Sequence, residues 1–242
     1  MIRELEIAAE IQQMLLPRAF PDLPKTRIFG VSTASRQVGG DYFDVIPVED
    51  LGVLVVIADV MGKGMPAALL ATIFRAAIRA RLHLAALPGY LLTETNHQIK
   101  GDLAQLDMFI TAQLAFFSYG RDEVSTATAG HCPILKYSNV HPQVTLIEEG
   151  GAPLGVLDDV VYHSTTTIAE PGSHFLLLTD GIYEVHSPGG RMLGLEGVQA
   201  QMGLLANGSP AELCRRLLEY VRHYTGEAAQ TDDRTVVVVE RF

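Results

Sequence analysis

The chain has 242 residues, of which 48% are hydrophobic and 19% charged, so it can bury a large core, and extensive disorder is excluded. Its formal net charge of −10, without any basic run, argues against nucleic acid as a partner, because phosphate backbones bind clustered Lys and Arg. The two cysteines form no metal-type pair, and a reducing cytosol is the simpler interpretation. Residues 1–6 lead into no apolar segment, so no signal peptide is expected, and the longest apolar run, 51–58, is too short to span a membrane. We therefore expect a cytoplasmic protein without membrane contact.

Helical and strand-like segments follow one another unevenly along the chain. Residues 2–16 carry Ile and Leu at helical spacing and stop at Pro17, which predicts a helix. The segment 27–60 is strand-like and ends in a continuous apolar run, typical of a strand that is buried on both faces. The further predictions are helices at 66–82 and 88–101, strands at 108–118, 124–129, 134–137, 144–147, 160–168 and 175–178, helices at 195–205 and 210–224, and a last strand at 235–239.

The order of these elements predicts the fold class. Several strands are followed by two helices, many strands, two helices and one strand, so the βαβ alternation of a doubly wound parallel sheet is missing. We expect an α+β fold in the form of a four-layer α-β-β-α sandwich. In it, two mostly antiparallel sheets pack together and helices cover their outer faces.

Four short segments carry aspartates beside glycine or at the ends of predicted strands. They are 39–44 (GGDYFD), 58–64 (ADVMGKG), 178–181 (LTDG) and 231–235 (TDDRT). A carboxylate at the end of a buried strand costs free energy unless a positive group compensates it, and Lys or Arg does not recur beside all four segments. One such segment alone is usually a turn. Together they favour a divalent-cation site, and an all-oxygen donor set favours Mg²⁺ or Mn²⁺ over zinc.

These segments resemble the signature of the PPM-type metal-dependent Ser/Thr protein phosphatases, in particular the SpoIIE/RsbU branch. A collinear match along nearly the whole chain is specific, whereas each motif alone is not. The resemblance implies hydrolysis of phosphoserine or phosphothreonine by a water activated between two Mn²⁺ or Mg²⁺ ions. The matching segments are AEIQQMLLP (9–17), GGD (39–41), DVMGKG (59–64), PAAL (66–69), FIT (109–111), AGH (129–131), TDG (179–181) and DDRT (232–235).

The resemblance also implies a role for each residue of the site. Asp59 matches the aspartate that bridges the two ions, and the carbonyl of Val60 binds one of them. Asp180 and Asp232 match ligands of the other ion. Asp41 corresponds to an acidic residue that supports the pair, directly or through water. Asp59, Asp180 and Asp232 are thus the expected catalytic residues.

Other residues of the same motifs have less certain roles. Lys63, between Gly62 and Gly64, either contacts substrate phosphate or is simply solvated. Asp44, Asp233 and Arg234 are expected to orient the metal ligands or the final strand.

The chain departs from eukaryotic relatives at one position. Where those relatives carry a histidine that is a proposed general acid, this sequence has Met61. His131 could replace it, but an Ala-Gly-His segment is more often a turn with a hydrogen-bonded histidine. We expect protonation of the leaving group to come from water or another group.

The resemblance further implies partners and regulation. The expected substrate is a phosphorylated regulatory protein of the STAS type, an anti-anti-sigma factor, which would link the chain to stress response and sigma factor regulation. Residues 1–17 are expected to form a linker or regulatory helix that precedes a phosphatase domain at 18–242. That helix either receives an upstream sensor or activator and pairs with its twin in a homodimer, or packs on its own domain.

Three other functions compete with this prediction. The chain could be a catalytically inactive phosphatase-like binding module, although such a module would gain nothing from buried acids. A nucleotide-binding switch is disfavoured, because the Gly62–Lys63–Gly64 segment lacks the Walker spacing, with Ile57 where a glycine is needed. A phosphodiesterase with the same two-metal chemistry stays open.

Overall fold

Ten strands and six α-helices make up the protein in the computed structural model, which describes residues 2–148 and 150–242, apart from the side chain of residue 2. The strands are β1 Thr26–Thr33, β2 Tyr42–Val48, β3 Gly52–Val60, β4 Ile110–Ser118, β5 Glu123–Ala129, β6 Ile134–Ser138, β7 Gln143–Ile147, β8 Thr165–Ile168, β9 His174–Leu178 and β10 Arg234–Arg241. The helices are α1 Ile2–Leu15, α2 Met65–Arg79, α3 Pro88–Gln105, α4 Asp180–Tyr183, α5 Gly194–Leu205 and α6 Pro210–Thr225, with a 3₁₀ turn at Leu82–Leu84.

The strands form two five-stranded sheets. One sheet has the order β1-β10-β9-β6-β7 and the other β2-β3-β4-β5-β8, and every pair of neighbouring strands is antiparallel. Strand β3 is buried at nearly every position, as expected for a central strand that is covered on both faces.

Three apolar layers hold the sandwich together. A central layer lies between the sheets, with Phe43, Val55, Phe117, Phe175 and Val237 among its members. A second layer packs α2 and α3 against the β2–β8 sheet, and a third packs α5 and α6 against the β1–β7 sheet. The prediction of a four-layer α-β-β-α sandwich is therefore confirmed.

Several predicted boundaries differ from the structure. The predicted strand at 160–168 is ordered as a strand only over Thr165–Ile168, at the sheet edge, where its backbone pairs on one side. The short helix α4 was not predicted, because the segment after Thr179 reads in the sequence as a turn containing Gly181. Helix α2 ends at Arg79, three residues before the predicted end, and a 3₁₀ turn follows.

Antiparallel pairing brings the four acidic segments to one end of the sandwich. The register pairs Tyr42, at the start of β2, with Ala58, near the end of β3. In the other sheet, Leu178 at the end of β9 pairs with Val236 near the start of β10. Aspartates that precede β2 and β10 or end β3 and β9 therefore lie at the same end of the two sheets.

No helix among the described residues combines the length and the hydropathy that crossing a membrane requires.

Candidate metal centre

Three of the predicted aspartates line one cavity. The cavity has a volume of about 360 Å³ and lies where the ends of β3 and β9 meet the start of β10. Asp59, Asp180 and Asp232 contribute to its wall together with the backbone of Val60. The site residues that are far apart in the sequence thus come together in space. Its wall also includes Gly62, Lys63, Thr111, His131, Cys132 and Tyr183.

The carboxylates of this cavity repel one another. Burial, followed by the charges of Asp180, Asp232 and Asp233, raises the pKa of Asp59 to about 7, against a smaller opposing effect of Lys63. Burial also raises the pKa of Asp180, followed by the charges of Asp232 and Glu184. Nearby acids of this kind stay ionised at neutral pH only if a cation compensates them.

Lys63 supplies part of that compensation. Its Nζ lies 2.7 Å from Oδ2 of Asp232 and donates a second hydrogen bond to the carbonyl of Thr231 at 2.6 Å. The lysine follows Gly62 and precedes Gly64, which have positive φ angles of 91° and 76° and let the loop turn into α2. Gly62 lines the cavity as Lys63 does, whereas Gly64 lies outside it, next to the start of α2.

Asp41 lies behind the cavity wall. Its Oδ2 accepts hydrogen bonds from the hydroxyls of Thr179, at 2.7 Å, and Thr235, at 2.6 Å. Burial, followed by the charge of Asp59, raises its pKa well above the ordinary value of an aspartate. Asp41 thus adds negative charge behind Asp59 and ties the starts of β2 and β10 to the end of β9.

Asp233 holds the Asp41 loop in position. Its Oδ1 accepts hydrogen bonds from the backbone N–H of Ser35 at 2.7 Å and from the Ser35 hydroxyl at 3.0 Å, and its Oδ2 accepts one from the N–H of Gly40 at 2.7 Å. A Cβ at Gly39 would lie 2.3 Å from Oδ2 of Asp233, and a Cβ at Gly40 would lie 2.8 Å from the carbonyl of Val60. The glycines therefore permit the close approach that the loop requires.

Asp44 lies outside the cavity, on the other face of β2. Arg79 of α2 binds it with two hydrogen bonds, Nε to Oδ2 at 2.7 Å and Nη2 to Oδ1 at 2.9 Å, and the hydroxyl of Tyr42 donates to Oδ2 as well. This bidentate pair fixes the last turn of α2 against β2. Asp44 therefore positions α2, the helix that follows the Asp59 loop. None of these hydrogen bonds joins it to Asp59, Asp180 or Asp232.

His131 is engaged through both ring nitrogens. Nε2 lies 3.1 Å from the carbonyl of Leu178 and must donate to it, so Nδ1 accepts from the hydroxyl of Thr111 at 2.9 Å. Burial lowers the pKa of His131 to about 4, so the ring is neutral at physiological pH. This geometry is that of a structural histidine, as a turn with a hydrogen-bonded histidine predicts.

The donor set of the cavity fits hard divalent cations. Carboxylates and the Val60 carbonyl supply oxygen ligands only, and the raised pKa values of the acids express the need for positive charge. In the described part of the chain, no three His, Cys, Asp or Glu side chains converge closely enough to hold an ion as they stand. Asp232 is turned to Lys63 and to its own neighbour, because its Oδ1 accepts from the N–H of Asp233 at 3.0 Å. One carboxylate of the cavity is therefore already paired with a cation of the protein itself.

Tyr183 of the cavity wall was not predicted from the sequence. Tyr183 closes α4, three residues after Asp180, and its ring faces the same cavity. Its pKa is raised, chiefly by burial and then by the charges of Cys132 and Asp180. Only the one-turn helix α4 brings Tyr183 to the wall that Asp180 lines, and the sequence has no clear signal for this helix.

Comparison with known proteins decides the family. The family model described as Stage II sporulation protein E (SpoIIE) matches residues 49–242. The chain belongs to the SpoIIE family. The resemblance that the motifs indicate is thus confirmed for this SpoIIE-family chain.

Similar proteins cover different shares of the chain. Phosphoserine phosphatase RsbU of Bacillus subtilis (strain 168) is 30% identical over 187 residues, which are 77% of this chain and 55% of RsbU. The SiaA-PP2C domain of Pseudomonas aeruginosa has a TM-score of 0.87 at 24% identity, over 99% of this chain and 96% of that chain. RsbX in complex with magnesium has a TM-score of 0.68 at 16% identity, over 92% of this chain and 98% of that chain. The chain spans about half the length of RsbU, and the solved structures show the shared fold.

The charge repulsion predicts a pH-dependent gain of stability in Asp59→Asn. Since the folded-state pKa of Asp59 is about 7 and the ordinary value is 3.8, the folded wild type keeps a proton that the unfolded chain loses between these values. The protonated carboxyl group of Asp59 therefore contributes its full stability below about pH 4, and this contribution is lost as the pH rises through 7. In metal-free protein at pH 8, we expect the free energy of unfolding of Asp59→Asn to exceed that of the wild type by about 2 to 4 kcal/mol. This gain in stability should vanish near pH 4.

Urea denaturation of chelator-treated protein across this pH range measures the difference. Asp102→Asn, an exposed substitution on α3, is the matched control and should show no pH-dependent gain. Equal stability of Asp59→Asn and wild type at pH 8 would contradict the proposed repulsion.

Proposed function

We propose that this SpoIIE-family chain is a metal-dependent protein phosphatase that hydrolyses phosphoserine or phosphothreonine. The observation that carries the proposal is the convergence of Asp59, Asp180 and Asp232 on one cavity, where these partly buried acids repel one another in the absence of cations. The relative RsbU bears the name phosphoserine phosphatase, and RsbX has been solved in complex with magnesium. Both support the proposal for a chain of the same family and fold.

Each residue of the cavity has a part in the proposed reaction. Asp59 lies among the charges of Asp180 and Asp232 and is suited to bridge two ions, with the Val60 carbonyl as a further oxygen ligand. Asp41, held by two threonine hydroxyls, supports Asp59 from behind. When bound, two Mg²⁺ or Mn²⁺ ions supply an activated water and neutralise the phosphoryl oxygens.

Other side chains prepare the substrate site. If Asp232 held a cation, Lys63 would lose this partner, and its ammonium group would be available to a phosphoryl oxygen of the substrate. His131 keeps its proton on Nε2 for the Leu178 carbonyl, so it shapes the cavity wall and is no general acid. The Cys132 thiol is not suited as a covalent nucleophile, because burial raises its pKa to about 12.

The proposed substrate is a phosphorylated regulatory protein in the cytoplasm, an anti-anti-sigma factor of the STAS type. The motif resemblance to the SpoIIE/RsbU branch suggests a substrate of this class, and the similarity to RsbU, named a phosphoserine phosphatase, over 77% of the chain supports phosphoserine as the group that is hydrolysed. The alternative, a catalytically inactive phosphatase-like module, would keep the fold without need of the acids. Retention of Asp41, Asp59, Asp180 and Asp232 in positions that cost charge repulsion favours the enzyme.

The activity prediction concerns the bridging carboxylate. We expect Mn²⁺-dependent hydrolysis of a phosphoserine peptide by the wild type, and a loss of about a thousandfold in kcat/KM for Asp59→Asn and for Asp180→Asn, since each removes a ligand of the two-metal site. His131→Ala should cost about tenfold, through misplacement of the cavity wall.

Steady-state assays with Mg²⁺ and Mn²⁺ measure these losses, and circular dichroism checks the fold of each variant. A wild type that binds Mn²⁺ without hydrolysing phosphopeptide would favour the inactive module. Loss of activity in His131→Ala as large as in Asp59→Asn would give the histidine a catalytic role.

We further propose that α1 regulates the metal site and can serve an upstream sensor, an activator or a second copy of the chain. Gln12 of α1 donates from Nε2 to the carbonyl of Gly39 at 2.7 Å and accepts at Oε1 from the Gly39 N–H at 3.0 Å. Gly39 begins the loop that carries Asp41. Ile7, Ile11 and Met14 of the same helix are exposed and offer an apolar face to a partner.

The coupling prediction compares two neighbouring glutamines. Gln12→Ala removes both hydrogen bonds to Gly39, so we expect the Kd for Mn²⁺ to shift by about threefold or more, in the range that two hydrogen bonds can carry. Gln13→Ala, an exposed substitution on the same helix, should leave the Kd unchanged. Isothermal titration calorimetry measures both. Identical Kd values of Gln12→Ala and the wild type for Mn²⁺ would contradict the proposed coupling between α1 and the metal site.

A further inference from the structure

A second cavity lies on the other side of two metal-site carboxylates. It has a volume of about 280 Å³ and is bounded by α4, the turn that follows it and the start of β10, and we name it the α4–β10 cavity. Asp180 and Asp232 line both this cavity and the candidate metal centre. A group bound in it therefore lies next to the proposed reaction site. The wall is completed by Gly181, Glu184, Val185, His186, Thr231 and Arg234.

Arg234 is the cation of this cavity, and it lacks a partner. Among the described residues, no carboxylate lies within ion-pairing distance of its guanidinium group, and its buried Nε makes no hydrogen bond. Burial lowers the pKa of Arg234, which expresses the cost of a charge withdrawn from water. A partly buried cation without a counter-ion is unexpected in a chain with a formal charge of −10.

The acids around Arg234 are engaged elsewhere or exposed. Asp232 pairs with Lys63 at 2.7 Å, and in the proposed function Asp180 and Asp232 turn their charge toward the ions of the first cavity. Glu184, which follows the last residue of α4, is exposed. The group left to meet a ligand inside the α4–β10 cavity is therefore the guanidinium group, whose fork of N–H donors matches a carboxylate.

We propose that the α4–β10 cavity is a substrate subsite in which Arg234 pairs with a carboxylate side chain that lies near the phosphorylated serine in the protein substrate. The proposal rests on the proposed phosphatase function, which supplies the phosphoserine in the neighbouring cavity. An extended chain advances by about 3.3 Å per residue, so two cavities that share a wall accommodate residues about one to three positions apart. The subsite thus selects substrates with an acidic residue at such a position.

The test compares peptides that differ in one charge. Phosphoserine peptides carry Asp, Asn or Lys at each of the three positions before and after the phosphoserine, in an otherwise neutral sequence. For the wild type with Mn²⁺, we expect kcat/KM at one of these positions to be about tenfold higher for the Asp peptide than for the Lys peptide, mainly because KM is lower. Arg234→Gln should remove this preference, and Arg234→Glu should reverse it toward Lys.

The matched control and the contrary outcomes separate the subsite from other effects. Arg222→Gln, which removes an exposed charge of α6, should keep the preference of the wild type. A wild type without preference at any position, or with a preference for Lys that Arg234→Glu leaves unchanged, would overturn the subsite. Hydrolysis of p-nitrophenyl phosphate is measured in parallel. If the wild type hydrolyses neither this substrate nor any of the peptides, the proposed phosphatase function is contradicted, whereas hydrolysis without a preference at any position contradicts the subsite alone.

Discussion

Mutual repulsion among partly buried carboxylates at one end of the sandwich governs the candidate metal centre and the loops around it. Asp59, Asp180 and Asp232 share one cavity, and Asp41 adds its charge from behind. The pKa values of Asp41, Asp59 and Asp180 are all raised, with burial as the first cause and a neighbouring aspartate as the second. Such an arrangement weakens the protein on its own and becomes favourable when cations neutralise it. A cost in stability of this kind is typical of a functional site.

The sandwich has the rigidity to hold these charges together. The aspartates stand at the ends of β2, β3, β9 and β10, whose pairing and apolar layers fix the backbone. Polar contacts then align the loops: Asp233 binds the segment at Ser35 and Gly40, and the hydroxyls of Thr179 and Thr235 bind Asp41. Two connections lead outward from this frame, one through Gln12 to α1 and one through the Arg79–Asp44 pair to α2. Both give a partner a physical route to the loops that carry the acids.

The sequence was sufficient for the fold and for the residues that converge, because both depend on strong local signals. Apolar periodicity and turn residues located β3 and the helices, and aspartates beside glycine marked the strand ends. The surroundings of each acid could not be predicted, because they depend on tertiary register. Asp44 stands three residues from Asp41 yet faces Arg79, whereas Asp233, next to a ligand candidate, binds the Gly40 loop. Tyr183 and the α4–β10 cavity depend on a one-turn helix that has no clear sequence signal.

Anomalous diffraction from crystals grown with Mn²⁺ would show whether the carboxylates hold cations. We expect two manganese peaks in the cavity of Asp59, Asp180 and Asp232, both within coordination distance of Asp59, with Lys63 displaced from Asp232. A cavity without manganese peaks at saturating Mn²⁺, in which Lys63 still pairs with Asp232, would contradict this expectation.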